Sequence, residues 1–422
     1  MTDRLRQLAA RLETPRARRL IVGLFAAVAA AFTFIPVLRF LRSGTEMDYR
    51  TWFEAAQAVL QHREIYPRSG TFPFMYPPTC AVLLAAVAIL GKPIMILILA
   101  VLNTIAWIFC IKFSVALASD RSPAFRTAIA LISNSIVLVF IWSSYHLGQP
   151  SLLLLALMLG AFVCLRRDRE VLGGALIALA AAIKAFPVLA ILYLIYRRYW
   201  LAAGSLVLVL ALLLLALPVP IRGFDQTMED FRAWERGMLR YEEGGIAQRP
   251  ARSYSWKNQS VWGLANRLLR HVSAEDEGKP VIYANLADLS FTIVNRIIVT
   301  IAFFFGISFV VMMPRTRRRD TDALEFGALL VLILIFTPLA FGYLFSWLML
   351  PIAILMGTVL GQEKRNVALL SLVAAAILLV ATAIAPRTAQ IYGSVLLAAV
   401  ALYCGLAIEL WRTGPGGHAK TQ

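Results

Sequence analysis

Long apolar runs make up most of the chain, and their lengths are those of membrane helices. About 20 apolar residues in a helix cross the roughly 30 Å hydrocarbon core of a bilayer. Backbone groups inside lipid must be hydrogen-bonded within their own segment, so such runs predict helices. They lie near residues 20–40, 77–91, 93–118, 124–146, 150–166, 171–183, 186–197, 199–218, 286–313, 323–340, 345–361, 366–385 and 389–411. The pattern predicts an all-α, polytopic transmembrane protein with about 10–13 membrane helices, including short or re-entrant ones.

Three of these runs, at residues 77–91, 171–183 and 186–197, are short for a full span. Short or broken helices at membrane depth are tolerated where they line a cavity inside the protein. The short runs therefore indicate a site within the membrane. Two long polar stretches, at about residues 41–76 and 221–285, interrupt the apolar pattern and are predicted to be non-cytoplasmic loops.

Composition excludes two classes of protein. The 422 residues are 60% apolar and 15% charged, whereas roughly 25% of the residues in a soluble domain are charged. Mean hydropathy is +0.73. These values exclude a water-soluble globular enzyme, and they exclude an intrinsically disordered chain, which requires low hydrophobicity.

The net charge of +17 comes from basic residues that stand beside the apolar runs. This distribution is typical of cytoplasmic loops under the positive-inside rule, and no nucleic-acid partner is predicted. We expect one membrane domain over residues 20–411, between cytoplasmic tails at residues 1–19 and 412–422. Both termini are then cytoplasmic, and the protein is a multi-pass protein of the cell (inner) membrane.

The first outer loop carries Asp48, within roughly ten residues of the end of the first predicted span. A carboxylate at the membrane boundary can take a proton from an attacking hydroxyl. Tyr49, Glu54 and Tyr76 accompany it, and Tyr76 precedes two prolines that mark a helix start. The alternative is that Asp48 is a plain helix cap and Tyr76 an aromatic residue of the membrane interface.

A second polar junction, around Gly148, separates two apolar runs. Gln149 can hydrogen-bond a hydroxylated ligand there, although a polar turn explains the same residues. His146 has no second histidine or tight carboxylate cluster beside it, so we predict no metal site. Asp48 with Glu46 or Glu54 could still bind a divalent ion.

Lys184 interrupts an otherwise apolar stretch from Val171 to Tyr196. A charge at that depth is costly and is by default functional. Pro187 breaks the helix just beyond it. A lysine at such a break can hold a phosphate as a compact cation. The alternative is a side chain that extends to the lipid headgroups.

The second outer loop combines aromatic rings, amides and positive charge. The ring of Trp256 could stack on a sugar, and the amides of Asn258 and Gln259 could bind its hydroxyls. Arg252 and Lys257 lie in the same segment. The alternative is a loop that packs on the membrane surface through its tryptophans.

Taken together, these segments resemble the GT-C superfamily of membrane glycosyltransferases. More closely, the chain resembles glycosyltransferase family 87, the polyprenyl-phosphate-mannose-dependent mannosyltransferases. The matching residues are Asp48-Tyr49, Tyr66, Tyr76-Pro77-Pro78, Gly148-Gln149, Lys184-Ala185-Phe186-Pro187 with Arg197-Arg198, Asn258-Gln259-Ser260 and Thr337-Pro338 followed by Pro351.

The resemblance implies a GT-C-like fold and a function. A hexose, with mannose favoured, would pass from a polyprenyl-phosphate sugar to a glycolipid or glycan on the extracytoplasmic side, with inversion at the anomeric carbon. Asp48 would act as general base. Lys184, with Arg252 or Lys257, would hold the leaving phosphate, and no cofactor is implied.

The sequence departs from this family pattern at one place. Many relatives carry a histidine or an acidic residue after the Thr/Ser-Pro pair, where this chain has Gly342, Tyr343 and Leu344. Tyr343 could line the site for acceptor or lipid. Two alternatives stay open, a lipid-linked-sugar flippase or transporter and a catalytically silent accessory subunit. No internal repeat favours a transporter built from two similar halves.

Overall fold

Helices form the regular secondary structure of the protein. The computed structural model describes residues 2–66, 74–118, 123–239, 253–276, 278–361 and 366–413, and within these ranges it has no strand. The helices are α1 (Thr2–Leu12), α2 (Pro15–Ser43), α3 (Asp48–Leu60), α4 (Pro78–Ala88), α5 (Lys92–Ala118), α6 (Arg126–Leu147), α7 (Ser151–Arg166), α8 (Glu170–Ile183), α9 (Ala190–Tyr196), α10 (Trp200–Ala211), α11 (Val219–Arg222), α12 (Phe224–Trp234), α13 (Val261–Leu269), α14 (Phe291–Met312), α15 (Asp322–Phe336), α16 (Met349–Gly361), α17 (Asn366–Ile384), α18 (Pro386–Ile391) and α19 (Ser394–Thr413).

Eight helical segments in the described part of the chain are long and apolar enough to cross a membrane. They are Pro15–Ser43, Lys92–Ala118, Arg126–Leu147, Trp200–Arg222, Phe291–Met312, Gly342–Gly361, Asn366–Ile384 and Ser394–Thr413. Shorter apolar helices include α4, α7 and α8. The prediction of an all-α polytopic membrane protein is confirmed.

The three short apolar runs fold as short helices. They become α4, α8, and a 3₁₀ turn at Phe186–Leu189 that continues into α9. The eleven residues of α4 give a helix of about 16 Å at 1.5 Å per residue. That length is about half of a bilayer core, so α4 does not cross a membrane by itself.

The last predicted run is interrupted in the structure. Residues 389–411 divide between α18 and α19 at Gly393, which has a φ of +78°. A Cβ atom there would lie 2.7 Å from the side chain of Leu264. Both the backbone conformation and the close contact require glycine at this position.

The contacts of the chain divide it into two compact units. The Asp48 unit comprises residues 20–113 and 141–241, and the Asn258 unit comprises residues 1–19, 114–140 and 242–422. The single catalytic domain over residues 20–411 stays a prediction.

In the Asp48 unit, α8 packs closely on both α7 and α10. A Cβ atom built at Gly174 of α8 would lie 2.1 Å from the carbonyl oxygen of Ala202 in α10. Small residues let membrane helices approach to this distance, where van der Waals packing drives their association. In the same unit α3 packs on α4, which fixes the helix that begins at Asp48.

The Asn258 unit has a core around α16. Nearly all residues of the segment Gly342–Gly361 are buried, as expected for a helix that is apolar on all sides. Helix α16 packs against α15, α17 and α19.

Candidate active site

Asp48 lies in the first turn of α3 and not at its cap. The N-cap residue is Met47, which has a φ of 48° and makes no capping hydrogen bond through its side chain. Asp48 is half-buried, and its Oδ2 accepts a hydrogen bond from Nε2 of Gln149 at 2.5 Å. The carboxylate is therefore held by a residue of the polar junction after α6.

Gln149 links Asp48 to Tyr76. Its side chain is buried, and its Oε1 accepts a hydrogen bond from the Tyr76 hydroxyl at 2.7 Å. A carboxylate can only accept and a phenol can donate, so these two partners determine the orientation of the amide. The Gln149 backbone is held as well, since Asn103 donates to its carbonyl at 3.2 Å and its amide donates to Ser144 at 2.8 Å. The structure thus joins three predicted site residues in one hydrogen-bonded chain.

Tyr49, the residue after Asp48, packs on the glycine before Gln149. Gly148 has a φ of +77°, and a Cβ atom there would lie 2.9 Å from the Tyr49 ring. The Tyr49 hydroxyl donates to the carbonyl of Tyr145 at 3.0 Å. Burial raises the pKa of Tyr49, so the phenol stays protonated and acts as a hydrogen-bond donor.

Aromatic rings surround Tyr76 on the side of α3. The centroid of the Trp52 ring lies 4.2 Å from that of Tyr76, and the Phe74 centroid lies at 5.3 Å. The Tyr66 hydroxyl donates to the Tyr76 carbonyl at 2.6 Å. These contacts hold Tyr76 through both its ring and its backbone.

Lys184 belongs to the same cluster. It is the half-buried residue that follows α8, and its backbone is extended. Its Nζ lies 5.3 Å from the Tyr76 ring centroid and 5.9 Å from that of Phe186, within cation–π distance. The Asp48 carboxylate also interacts electrostatically with this ammonium group. A proton-accepting group and a cation therefore lie together, with Tyr76 in contact with the cation and linked to the carboxylate through Gln149.

Two other predicted residues of the Asp48 unit lie near this cluster but have other partners. The Glu54 side chain is 60% exposed and pairs with Arg50 at 2.7 Å on α3. Nδ1 of His146 lies 2.5 Å from Nη1 of Arg39, which places the histidine proton on Nε2. His146 and Arg39 line a small cavity whose other lining residues are Ile35, Pro36, Thr45, Glu46, Met47, Tyr49 and Trp142.

In the Asn258 unit, the predicted sugar-binding amides form hydrogen bonds with the backbone of their own loop and of two distant segments. Nδ2 of Asn258 donates to the carbonyls of Ser253 and Pro338 at 2.8 and 2.9 Å, and its Oδ1 accepts from the Ala340 amide at 2.9 Å. Nε2 of Gln259 donates to the carbonyls of Trp256 and Gln390 at 2.6 and 2.7 Å. Both side chains are fully buried and position the backbone of this loop. Sugar binding by either amide stays a prediction.

Trp256 and Lys257 have acidic partners. Nε1 of Trp256 donates to Glu275 at 3.1 Å, and Lys257 forms an ion pair with Asp276. The Lys257 ammonium also lies 5.5 Å from the Trp256 ring centroid. A phosphate at Lys257 would compete with the Asp276 carboxylate, and the predicted role of Lys257 is untested.

The two remaining predicted residues are Tyr343 and Arg252. Tyr343 is buried in a 3₁₀ helix over Gly342–Leu348, with its ring 6.3 Å from that of Phe341. Arg252 lies outside the described residues.

Sequence reasoning missed Arg267, a fully buried residue of α13. Its guanidinium donates to the carbonyls of Ser255 at 2.7 Å, Asn258 at 2.8 Å and Ile391 at 3.2 Å. Burial lowers the pKa of Arg267 to about 9. The sequence around Arg267 gives no sign of this role. Its acceptors are backbone carbonyls, which every residue has, so no residue pattern marks them.

No group of three histidine, cysteine, aspartate or glutamate side chains suited to a metal occurs among the described residues. The two carboxylates considered as partners for Asp48 are paired with cations. Glu46 contacts Lys92 at 2.8 Å, and Glu54 contacts Arg50.

Comparison with known proteins identifies the family. The sequence matches glycosyltransferase family 87 over residues 74–341, more than half of the chain. No curated protein sequence matches it. Two crystal structures of ArnT from Cupriavidus metallidurans are similar. The one bound to undecaprenyl phosphate has 15% identity and a TM-score of 0.41, and it covers 92% of this chain and 76% of that one. The apo structure has 14% identity and a TM-score of 0.41, with 94% and 77% covered. The chain belongs to glycosyltransferase family 87 and is a multi-pass membrane glycosyltransferase.

Proposed function

We propose that the protein transfers a hexose, with mannose favoured, from a polyprenyl-phosphate sugar to a hydroxyl of a glycolipid or glycan. The observation that carries this proposal is the cluster of Asp48, Gln149, Tyr76 and Lys184 in a membrane glycosyltransferase. The cluster supplies a base and a cation, which are the two groups that a single displacement at a sugar phosphate needs.

Asp48 is the proposed general base. Its Oδ2 is held by Gln149, and among the described residues none donates to its Oδ1, so one oxygen is available to an acceptor hydroxyl. As the acceptor oxygen forms a bond to the anomeric carbon, its proton passes to Asp48. The bond from that carbon to the phosphate oxygen breaks, and the electron pair leaves with the phosphate. Attack opposite to the leaving group inverts the anomeric carbon.

Lys184 is the proposed phosphate-binding residue. A phosphate monoester has a second pKa of roughly 6, so it leaves at neutral pH without a strong acid. The charge that develops on it is stabilised by a fixed cation. Lys184 contacts Tyr76, which contacts Gln149, and this connection couples the position of the cation to that of the base. Lys257 and Arg252 are further phosphate-binding proposals from the Asn258 unit.

The site is proposed to lie on the extracytoplasmic side of the membrane. Basic residues are concentrated at residues 16–19, at the start of α2, and Asp48 follows the opposite end of that helix. Basic flanks are retained in the cytoplasm, so the end that carries Asp48 is outside. Polyprenyl-phosphate sugar would then approach from the outer leaflet.

Replacement of Asp48 by Asn tests the base. Purified protein in proteoliposomes would be given radiolabelled polyprenyl-phosphate mannose and lipid extract from the expressing cells as acceptor. Loss of a general base lowers turnover by about 10²–10⁴-fold. Asp320→Asn, at an exposed loop carboxylate, is the control and is expected to keep normal turnover. Normal turnover by Asp48→Asn would contradict the assignment of the base.

A panel of polyprenyl-phosphate sugars decides the donor. Transfer of mannose in preference to other hexoses is the expected result. Transfer of a different sugar would overturn the choice of mannose but not the mechanism. Transfer from a nucleotide sugar alone would overturn the lipid-phosphate donor.

A further inference from the structure

A buried ion pair connects helix α12 to the end of α3. Arg222, the last residue of α11, donates from Nε to Oδ2 of Asp230 at 2.9 Å and from Nη2 to Oδ1 at 3.1 Å. The two side chains are 0% and 4% exposed. Two parallel bonds of this kind define the geometry of an arginine–carboxylate pair more tightly than a single contact does.

The same guanidinium reaches the first outer loop. It donates to the carbonyl of Ala58, in the last turn of α3, at 3.4 Å and to the carbonyl of Arg63 at 2.9 Å. Gln226 adds a third bond to the Asp230 carboxylate at 3.0 Å. The buried charges are therefore compensated, and the compensation depends on the position of the α3 end.

Trp234, the last residue of α12 and one turn beyond Asp230, is attached close to Tyr76. Nε1 of the buried Trp234 donates to the carbonyl of Met75 at 3.3 Å. The eleven residues of α12 form a rod of about 16 Å. Hydrogen bonds from Arg222 and Trp234 connect this helix to the first outer loop at Arg63 and at Met75. We call α12, together with the contacts made by Arg222, Asp230 and Trp234, the splint.

We propose that Arg222, Asp230 and Trp234 are positioning residues for glycosyl transfer. The splint holds the backbone at Met75, the adjacent Tyr76 hydroxyl holds Gln149, and Gln149 holds Asp48. None of the three splint residues contacts the reacting atoms. They set the geometry of the base, and this inference rests on the proposed function of Asp48.

Trp234→Phe is the sharpest test, because it removes the indole hydrogen-bond donor and leaves a smaller aromatic ring in its place. Trp262→Phe is a matched control, since its indole Nε1 donates to the carbonyl of Phe336 at 3.1 Å in the Asn258 unit. We expect Trp234→Phe to lower kcat by about fivefold, the effect of one lost hydrogen bond, with an unchanged KM for the donor. The control is expected to keep the wild-type kcat.

Hydrogen exchange separates positioning from general stability. In Trp234→Phe the amides around Tyr76 are expected to exchange faster, while the melting temperature matches that of Trp262→Phe. An equal loss of kcat in both tryptophan variants would overturn the proposal. So would a wild-type kcat with wild-type exchange in Trp234→Phe.

The ion pair needs a double variant, because removing one partner leaves a buried charge uncompensated and strongly destabilises the fold. Replacing both residues, as Arg222→Met with Asp230→Leu, removes both charges and fills the space of the ion pair with apolar side chains. We expect this variant to fold and to lose at least as much kcat as Trp234→Phe. A folded double variant with wild-type kcat would overturn the role of the pair.

The two proposals fail separately. If Asp48→Asn keeps normal turnover, the base is lost, but the effect of Trp234→Phe on kcat and exchange still decides the splint. If Asp48→Asn is inactive and Trp234→Phe is normal, the base stands and the splint is overturned.

Discussion

Single backbone positions set the geometry around Asp48. Gly148 adopts a φ that favours glycine, and the Tyr49 ring occupies the space that a side chain would take. The Gly148-Gln149 pair is visible in the sequence as a polar junction between apolar runs. The contact of Gly148 with Tyr49 is not visible in the sequence, because these two residues are about a hundred positions apart in the chain.

Gly148→Ala is expected to lower both stability and transfer. The left-handed conformation costs a non-glycine residue roughly 1–2 kcal/mol, and the new methyl group must also displace the Tyr49 ring. Gly91→Ala separates the two effects, because Gly91 has a φ of +90° and open space around its Cβ. Thermal unfolding in detergent, combined with transfer assays, should show the larger loss for Gly148→Ala. Equal losses would mean that the contact with Tyr49 is unimportant.

Glu275, in the loop between α13 and α14, provides a test of pH dependence. Burial by itself would raise the pKa of Glu275, but hydrogen bonds from the Asp276 amide, Arg387 and Trp256 hold the pKa below its usual value. A carboxyl with a lowered pKa stabilises the folded state above its unfolded pKa of roughly 4.3. That stabilisation disappears as the pH falls through the folded pKa.

Glu275→Gln is therefore expected to be less stable than wild type at pH 7, by about 1–3 kcal/mol. The difference should shrink as the pH falls below roughly 4. Unfolding curves across this pH range measure it, with Asp320→Asn as an exposed control. A constant difference at all pH values would contradict the assignment.

At the scale of elements, the protein depends on close helix contacts and on loops with buried polar groups. Helix α8 meets α10 at Gly174. The loop before α13 is held by Arg267, Asn258 and Gln259 through backbone carbonyls. The contact between α8 and α10 needs a small residue. The buried carbonyls that the loop before α13 contacts need hydrogen-bond donors.

Gly174→Ala is expected to separate α8 from α10. Its Cβ would lie 2.1 Å from the Ala202 carbonyl, whereas a Cβ at Gly204 on α10 meets nothing within 4 Å. We expect a lower melting temperature for Gly174→Ala and an unchanged or higher one for Gly204→Ala, since alanine favours helix over glycine by roughly 1 kcal/mol. Lys184 follows α8, so transfer should fall as well. Equal melting temperatures for the two variants would contradict the close approach.

At the scale of the whole molecule, the distribution of charge predicts how the chain crosses the membrane. Of the +17 net charge, much lies in short basic segments such as residues 315–319. Such segments determine orientation because they are retained in the cytoplasm.

Single cysteines in a background without the four native cysteines test this orientation. A membrane-impermeant maleimide is expected to label Ser43→Cys in intact cells, because residue 43 ends the first span near Asp48. Asp320→Cys should be labelled only after permeabilisation. The reverse pattern would contradict the predicted orientation and place Asp48 on the cytoplasmic side.

Much of the fold was predictable, and less of the site was. Apolar run lengths predicted the helices because lipid forces backbone hydrogen bonds into local segments. Asp48 and Lys184 stand out in the sequence because each is charged at a position with no topological reason for charge, and their roles stay predictions. The role of Arg222 was not, because its partners are one carboxylate and two carbonyls that have no distinctive local pattern.

The sequence by itself determined the class of protein, its helical architecture, and which scarce charges call for a functional explanation. Only the tertiary structure decided that Gln149 joins Asp48 to Tyr76 and that Lys184 lies on the Tyr76 ring. It also decided that Asn258 and Gln259 join their loop to the distant carbonyls of Pro338 and Gln390. The physical reason is the range of the interactions. The apolar residues that each helix buries form a pattern within one segment of the sequence. Hydrogen bonds between distant residues depend instead on how the segments pack.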